Sequence, residues 1–468
     1  MKYIIGVDGG TQSTKTTVYD LQGNIICSAS VKLRPAHLAP GGVVEHPDDD
    51  LYTTLCSSLK ELLCRFPGKP DEIAGLGLCS IRFCRTVMKE DGTLAQPVMN
   101  WMDDRVGRPF VRETPDARYV AAASGYLSRR LTGRNRDTAA NYLGAWPFNR
   151  DTWNWEDSAI PGFGVTRDML FDLVMPGELL GTVTAEAAAD TGLPEGLPVF
   201  ATANDKAVEA LGVGCVAPGT GLLSLGTYIA AMICSEKNNG DGDAYWTNLA
   251  SIPGRYFYET NGVRRGMWML SWWSGVIGED FAARAAAEGV PPEELLNREA
   301  ACLPAGSDGL MVVPDWLAPA SHPFRKGMML GFDGRHGRGH IYRAILEGIA
   351  LTMRGHIEAA DALPERIWIS GGGSKSDVFM QIFADVLNIP VLRPGENGSA
   401  GLGAAICAAV GLGLYPDFDA AAAAMCRPGL EFRPIEENVE TYNRMYPVYS
   451  GLTGYGDPVF RRSFELFG

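Results

Sequence analysis

The stretch Asp8-Gly9-Gly10-Thr11-Gln12-Ser13-Thr14-Lys15 lies between two apolar, β-branched runs and can bind an anion. Glycines let backbone N–H groups approach a phosphate, the Thr and Ser hydroxyls add donors, and Lys15 adds positive charge. Asp8, at a strand end beside this loop, is placed to hold hydrated Mg²⁺ on phosphates. The glycine spacing fits neither a Walker loop nor a GxGxxG fingerprint. Taken alone, these residues also read as a plain hairpin turn with a solvated lysine. Ser224-Leu225-Gly226-Thr227 repeats the turn in a similar strand setting, and Ser370-Gly371-Gly372-Gly373-Ser374-Lys375-Ser376-Asp377 joins a buried strand to a helix. Glycines there permit close packing on a flat ring or a phosphate, and helix N-termini attract anions. Three such loops at strand ends point to a nucleotide held in a cleft between two related domains.

A fourth segment, Phe200 to Gly212, places Asp205 after a strand and at the head of an Ala-rich helix. The bland reading is an N-capping aspartate worth about 1 kcal/mol. The chemical one is a carboxylate that accepts the proton of an attacking hydroxyl while phosphate transfers in line.

The elements that must carry these loops are short strands and helices in alternation. Tyr3 to Val7, Thr16 to Tyr19 and Ile25 to Val31 read as a three-stranded meander, followed by a helix from Leu51 to Leu63 and a strand from Ala74 to Ile81. Leu222 to Ile233 reads as strand, glycine turn, strand, and Ser235 to Asp243 as an exposed loop. Ile341, Ile345, Ile349 and Met353 mark a long helix, Arg366 to Ser370 a buried strand, and Val378 to Leu387 another helix. The pattern is α/β with mixed sheets. A chain of 468 residues exceeds one ordinary core, and the expected division is 1–245 and 246–468.

The net charge of −14 comes without a Lys/Arg block, which argues against nucleic acid as a partner. No apolar run reaches membrane-spanning length, and Asp8 interrupts the N-terminal apolar stretch too early for a signal peptide. A cytoplasmic protein is expected. The ten cysteines include no CxxC pair and no zinc-like spacing with histidine, so reduced, buried thiols are expected.

The four segments, in this order, resemble the FGGY family of carbohydrate kinases within the actin-like ATPase superfamily. The most specific match is Gly327-Met328-Met329-Leu330-Gly331-Phe332, then seven residues, then His340-Ile341-Tyr342-Arg343-Ala344-Ile345-Leu346-Glu347. Gly41 to Pro47, Tyr126-Leu127 with Leu131-Thr132-Gly133, Gly192-Leu193-Pro194 and Gly401 to Ala405 support it. The resemblance implies two actin-like (ribonuclease H-like) domains with mixed sheets flanked by helices and ATP in the interdomain cleft. The first domain would carry the sugar site and the second the adenosine site.

Position by position, the resemblance implies Asp205 as catalytic base, and Asp8 with Asp205 as the Mg²⁺-associated carboxylates. Thr11, Gln12, Ser13 and Lys15 match the first phosphate loop, Thr227 the second, Gly266 a glycine lining the nucleotide site, and Gly372 and Ser376 the adenosine contacts. On the sugar side it implies Arg82, Trp101, Asp103 and Arg105, with Asp205. Arg82 and Arg85 also read as plain surface charges. Two departures bear on substrate. Phe83 stands where glycerol kinases have a glutamate, and the chain between Arg105 and Tyr126 is shorter than in typical members. The implied activity is ATP- and Mg²⁺-dependent phosphorylation of a small ketose, such as a pentulose, or a related polyol, with a homodimer left open as the assembly. The rival readings are a catalytically degenerate, sugar-binding regulatory member of the family and an actin-like ATPase of another branch.

Overall fold

Runs of Ile, Val, Thr and Tyr favour extended backbone, and they build the main sheet of the first half, beside a five-stranded one that holds Arg85–Met88 and Val98–Met99. In the computed structural model, which describes residues 2–467 except Thr227, Ala320, Asp361, Ala362 and Asn397, β1 (Tyr3–Gly9), β2 (Ser13–Tyr19) and β3 (Ile25–Lys32) form the expected meander. α1 (Asp50–Arg65) follows, burying Leu51, Leu55, Leu59 and Leu62 on one face. β4 (Ile73–Ser80), β5 (Leu179–Thr182) and β6 (Pro198–Ala201) complete a six-stranded sheet in the order β5-β6-β4-β1-β2-β3. α2 (Asp205–Gly212) leaves the end of β6.

The second half repeats this plan. β7 (Thr220–Leu225), β8 (Tyr228–Ser235), β9 (Tyr245–Leu249) and β10 (Tyr256–Thr260) form an antiparallel array. After α3 (Arg338–Ala359), β11 (Arg366–Gly371) joins parallel to β7. Then come α4 (Asp377–Leu387), β12 (Val391–Leu392), α5 (Ala400–Gly411), β13 (Glu431–Phe432) and the long α6 (Glu436–Phe467). The sheet order β10-β8-β7-β11-β12-β13 mirrors β3-β2-β1-β4-β6-β5, with the same parallel and antiparallel pairings. This is the two-domain actin-like architecture that the resemblance implies.

A division after residue 245 cuts the second sheet, because β7 and β8 pair with β11 and β10 on the far side of that point. The break in topology falls between Gly212 and Thr220. The polar, Gly-rich stretch before residue 245 has linker-like composition, but it is the loop between β8 and β9 of one sheet.

α5 crosses from the second half to cover the first sheet, packing against β1 and β4 and against α2. It is buried from Gly401 to Ala409 on all sides, which its Gly-Ala-Ile-Cys composition allows. The approach is close enough that a Cβ at Gly6 would strike the Gly401 carbonyl, and one at Gly77 the Ala404 carbonyl. Gly77→Ala is therefore expected to destabilise the first half by roughly 1–3 kcal/mol or more, seen as a lower urea midpoint for loss of its tertiary signal. An unchanged midpoint would mean that α5 does not seat there.

All ten cysteines are free thiols; Cys64 and Cys302 are exposed rather than buried. Among the described residues no helix is long and apolar enough to cross a membrane.

Candidate active site

β1 and β2 carry Asp8 and Lys15 as direct cross-strand partners, so both side chains leave the same face close to the turn of the hairpin. Thr11 and Gln12 stand exposed at its tip, where Gly10 N–H closes on the Ser13 carbonyl at 3.0 Å. Asp205 opens α2 a short way off. The helix cap, however, is Asn204, whose side chain accepts from Ala207 N–H at 3.2 Å. The bland reading of Asp205 as an N-cap is thereby overturned, and its carboxylate is released for other contacts.

Those contacts are few. The Asp205 Oδ1 atom is buried and accepts no hydrogen bond, and the nearest cation is Arg82 Nε at 3.8 Å. Arg82 is held from the other side by Glu259, in a bidentate pair at 2.7 and 2.8 Å, and lies against the Phe83 and Trp246 rings at 5.1 and 5.2 Å. Asn204 Nδ2 donates to Asn248 Oδ1 at 2.9 Å, and Asn248 in turn reaches Glu259 at 3.4 Å. The helix cap, the candidate base and the arginine thus belong to one network joining α2 to β9 and β10 of the second sheet. Phe83 sits in the left-handed region at φ 63°, local strain of the kind that collects at working sites.

Beside this network is a cavity of about 290 Å³ walled by Phe83, Tyr142, Trp146, Phe148, Arg150 and Trp246. Arg82 borders it through Phe83 and Trp246, and with Glu259 at 5% side-chain exposure it is no surface charge. Arg85 is also buried. It donates to the carbonyls of Arg105, Val106 and Arg108 at 2.8–3.1 Å, pinning the short segment after Arg105.

Burial pushes the Asp8 carboxyl up to about 6, with the nearby charges of Asp205 and Glu209 adding to the rise and Lys15 and Lys206 opposing it. Asp205 is raised for the same first reason, burial, against the pull of Arg82 and Lys206. Two carboxyls raised by burial in this way would be relieved by a divalent cation. Among the described residues, though, no group of three or more His, Cys, Asp or Glu side chains converges as a cage, so phosphate oxygens and water would have to complete any Mg²⁺ shell.

On the second sheet, Met267 gathers the glycine segments. Its N–H donates to the Gly226 carbonyl at 3.4 Å, its own chain neighbour is the buried Gly266, and a Cβ on Gly373 would meet its sulfur. Gly372 has open space above its Cα. Ser376 caps α4 and donates to Asn297 Oδ1 at 2.8 Å, which also accepts from Tyr342. Thr227 lies outside the described residues.

Among the described residues, no side-chain hydrogen bond or ion pair joins Trp101, Asp103 or Arg105 to the Asp205 network. Trp101 is half-exposed. Asp103 is fully buried and binds Val44 N–H and the Arg105 guanidinium at 2.8–2.9 Å, while Arg105 also pairs with Glu45 at 2.6 Å. The knot fixes the Trp101 segment, whose backbone lies by the Cys84 thiol next to Phe83.

The family profile described as the N-terminal domain of the FGGY family of carbohydrate kinases matches residues 3–112 and 109–212, and that of its C-terminal domain matches residues 221–412. A protein of Escherichia coli strain K12, named uncharacterized sugar kinase YgcE, is 46% identical over 472 aligned positions, covering 99% of this chain and 96% of that one. The xylulose kinase of Bacillus subtilis strain 168 is 24% identical, covering 97% of each. Among solved structures, the xylulose kinase of Rhodospirillum rubrum superposes with a TM-score of 0.86 at 26% identity, covering 98% of this chain and all of that one. With both halves of the profile on its two sheets, this chain belongs to the FGGY family of carbohydrate kinases.

Proposed function

We propose that the protein transfers the terminal phosphoryl group of ATP to a hydroxyl of a small ketose, such as a pentulose, or of a related polyol. The observation that carries this reading is the buried Asp205 Oδ1, which accepts no hydrogen bond and lies 3.8 Å from Arg82, itself packed against the Phe83 and Trp246 walls of the aromatic cavity. The acceptor hydroxyl gives its proton to Asp205 as its oxygen bonds the terminal phosphorus, and the bond to the leaving ADP oxygen breaks in line. Lys15 and the Thr11–Ser13 amides offset charge on the phosphates from the first half, and Thr227 is the contact proposed from the second. Gly266, Met267, Gly372 and Ser376 bound the adenosine side. Arg82, fixed by Glu259 and two rings, orients the sugar and keeps Asp205 ionised. Asp103 and Arg105 act by holding Trp101 at the pocket edge. Asp8 and Asp205 are the residues that would hold Mg²⁺, which when bound neutralises charge on the bridging phosphate oxygens.

A ketose is supported by the names of the Bacillus and Rhodospirillum relatives, both xylulose kinases, and by a cavity whose size suits a small sugar. The test is coupled ADP release over a panel of ketopentoses, ketohexoses, polyols and sugar acids. Saturable turnover with at least one ketose is expected. Sugar binding by calorimetry without any ADP release would favour the degenerate, regulatory reading instead.

A further inference from the structure

Lys206 and Glu209 have no part in the transfer as described, yet they stand where the two halves meet. They share one face of α2, three residues apart. The Lys206 ammonium donates to Ser224 Oγ at 2.9 Å and pairs with Glu209 Oε2 at 3.2 Å. The other Glu209 oxygen accepts from Ser370 Oγ at 2.6 Å. Ser224 and Ser370 are register partners on β7 and β11, and both strands run from there into glycine turns, Leu225-Gly226 and Gly371-Gly372-Gly373.

The repeat of the two sheets gives this knot its meaning. β7 corresponds to β1, so Ser224-Leu225-Gly226 stands where Asp8-Gly9-Gly10 stands in the first half. Lys206 therefore lies at the second hairpin, on Ser224, as Lys15 lies at the first, across from Asp8. Neighbours on a helix do not face one another. Lys206 turns to Ser224 and Glu209, leaving Asp205 to Arg82. An ammonium has three donors; the two engaged here leave one, on a side chain that is one-third exposed.

We propose that Lys206 is a phosphate-positioning residue, anchored by Glu209 and Ser224, that contacts the terminal phosphoryl group from the side opposite Lys15. The inference rests on the reaction proposed at Asp205. A compact, rotatable point charge suits a group whose oxygens move during transfer, and a charge-assisted hydrogen bond to phosphate is among the stronger ones available. Glu209 and Ser224 together fix where the ammonium sits on α2.

The experiment is calorimetric titration of the full chain, in Mg²⁺ buffer, with ADP and with a non-hydrolysable ATP analogue. Lys206→Met is expected to weaken the ATP analogue by at least about 10-fold while ADP shifts by less than about 3-fold, and to lower kcat with sugar affinity retained. Lys206→Arg should recover part of the loss, and Glu209→Gln should lie between. A mere strut between α2 and the sheet would lower the unfolding midpoint and affect both nucleotides alike. Equal losses for the two nucleotides, no loss for either, or a loss confined to the sugar would each overturn the proposal. If Lys206→Met does not fold, Lys206→Gln carries the same comparison. Failure of the unsubstituted protein to bind either nucleotide is a separate result and would overturn the kinase reading of this cleft as well.

Discussion

Asp205→Asn is expected to lower kcat by roughly 10²- to 10⁴-fold, the usual worth of a positioned general base, while ATP affinity stays near that of the parent. The amide has the size and shape of the carboxylate but cannot accept the hydroxyl proton, and no hydrogen bond of Oδ1 is lost, because none is made. Stability should not fall. A carboxyl raised by burial is one whose charged form the fold disfavours, so at pH 7, above its unfolded value, ionisation costs folding energy that the amide does not incur. The thermal midpoint should therefore hold or rise, separating loss of chemistry from loss of fold. Steady-state ADP release, nucleotide calorimetry and a melting curve decide the matter together. Turnover within a few-fold of the parent would remove Asp205 from the proton transfer.

Much of this site was legible in the chain because its parts are local. A strand, a glycine turn and a return strand are written in consecutive residues, so the Asp8–Lys15 hairpin and the Gly371–Gly373 turn could be drawn before any contact was known. What could not be read depends on partners distant in sequence. Arg82 reads as a surface charge until Glu259, 177 residues on, closes over it, and Arg85 does until three carbonyls of the segment after Arg105 close on it. The Asn204–Asn248–Glu259 chain has no sequence pattern at all. Lys206 and Glu209 did leave a signal, opposite charges three apart on a short apolar helix, but such pairs usually mark a solvated face. The domain division was misplaced for a related reason. Composition picks out a polar loop, whereas a domain is defined by which strands pair, and β7 pairs with a strand more than 140 residues away. Nor does anything in the Ala-rich run 400–411 announce that the helix crosses to the other half; that follows only from where glycines open the β1 and β4 backbones to it.

The most specific segment of the family signature ends on Glu347, and its structural surroundings predict a different kind of effect. Its side chain is buried, accepting from Arg343 Nε and Tyr442 Oη at 2.8 Å, from Ser307 Oγ at 2.8 Å and from Gly306 N–H at 2.9 Å. Three separate pieces of the second half, α3, α6 and the 306–309 turn, converge on one carboxylate. Glu347→Ala strands the Arg343 guanidinium in the core, where among the described residues the Ala300 carbonyl and the Tyr442 hydroxyl remain to it. Breaking a buried pair from one side costs about 3–5 kcal/mol, a large part of a typical domain stability of about 5–15 kcal/mol. The expected result is a fall of that size in the urea unfolding free energy of the second half, with kcat near normal at low temperature, since nothing in this knot touches the Asp205 network. Glu347→Gln keeps the shape and should lose less. The sharper comparison is the double variant Arg343→Met, Glu347→Leu. If the cost comes from stranding a charge, removing both partners should destabilise far less than the sum of the two single changes. If the losses simply add, the ion pair is not what holds α3 to α6, and packing around Tyr442 must be.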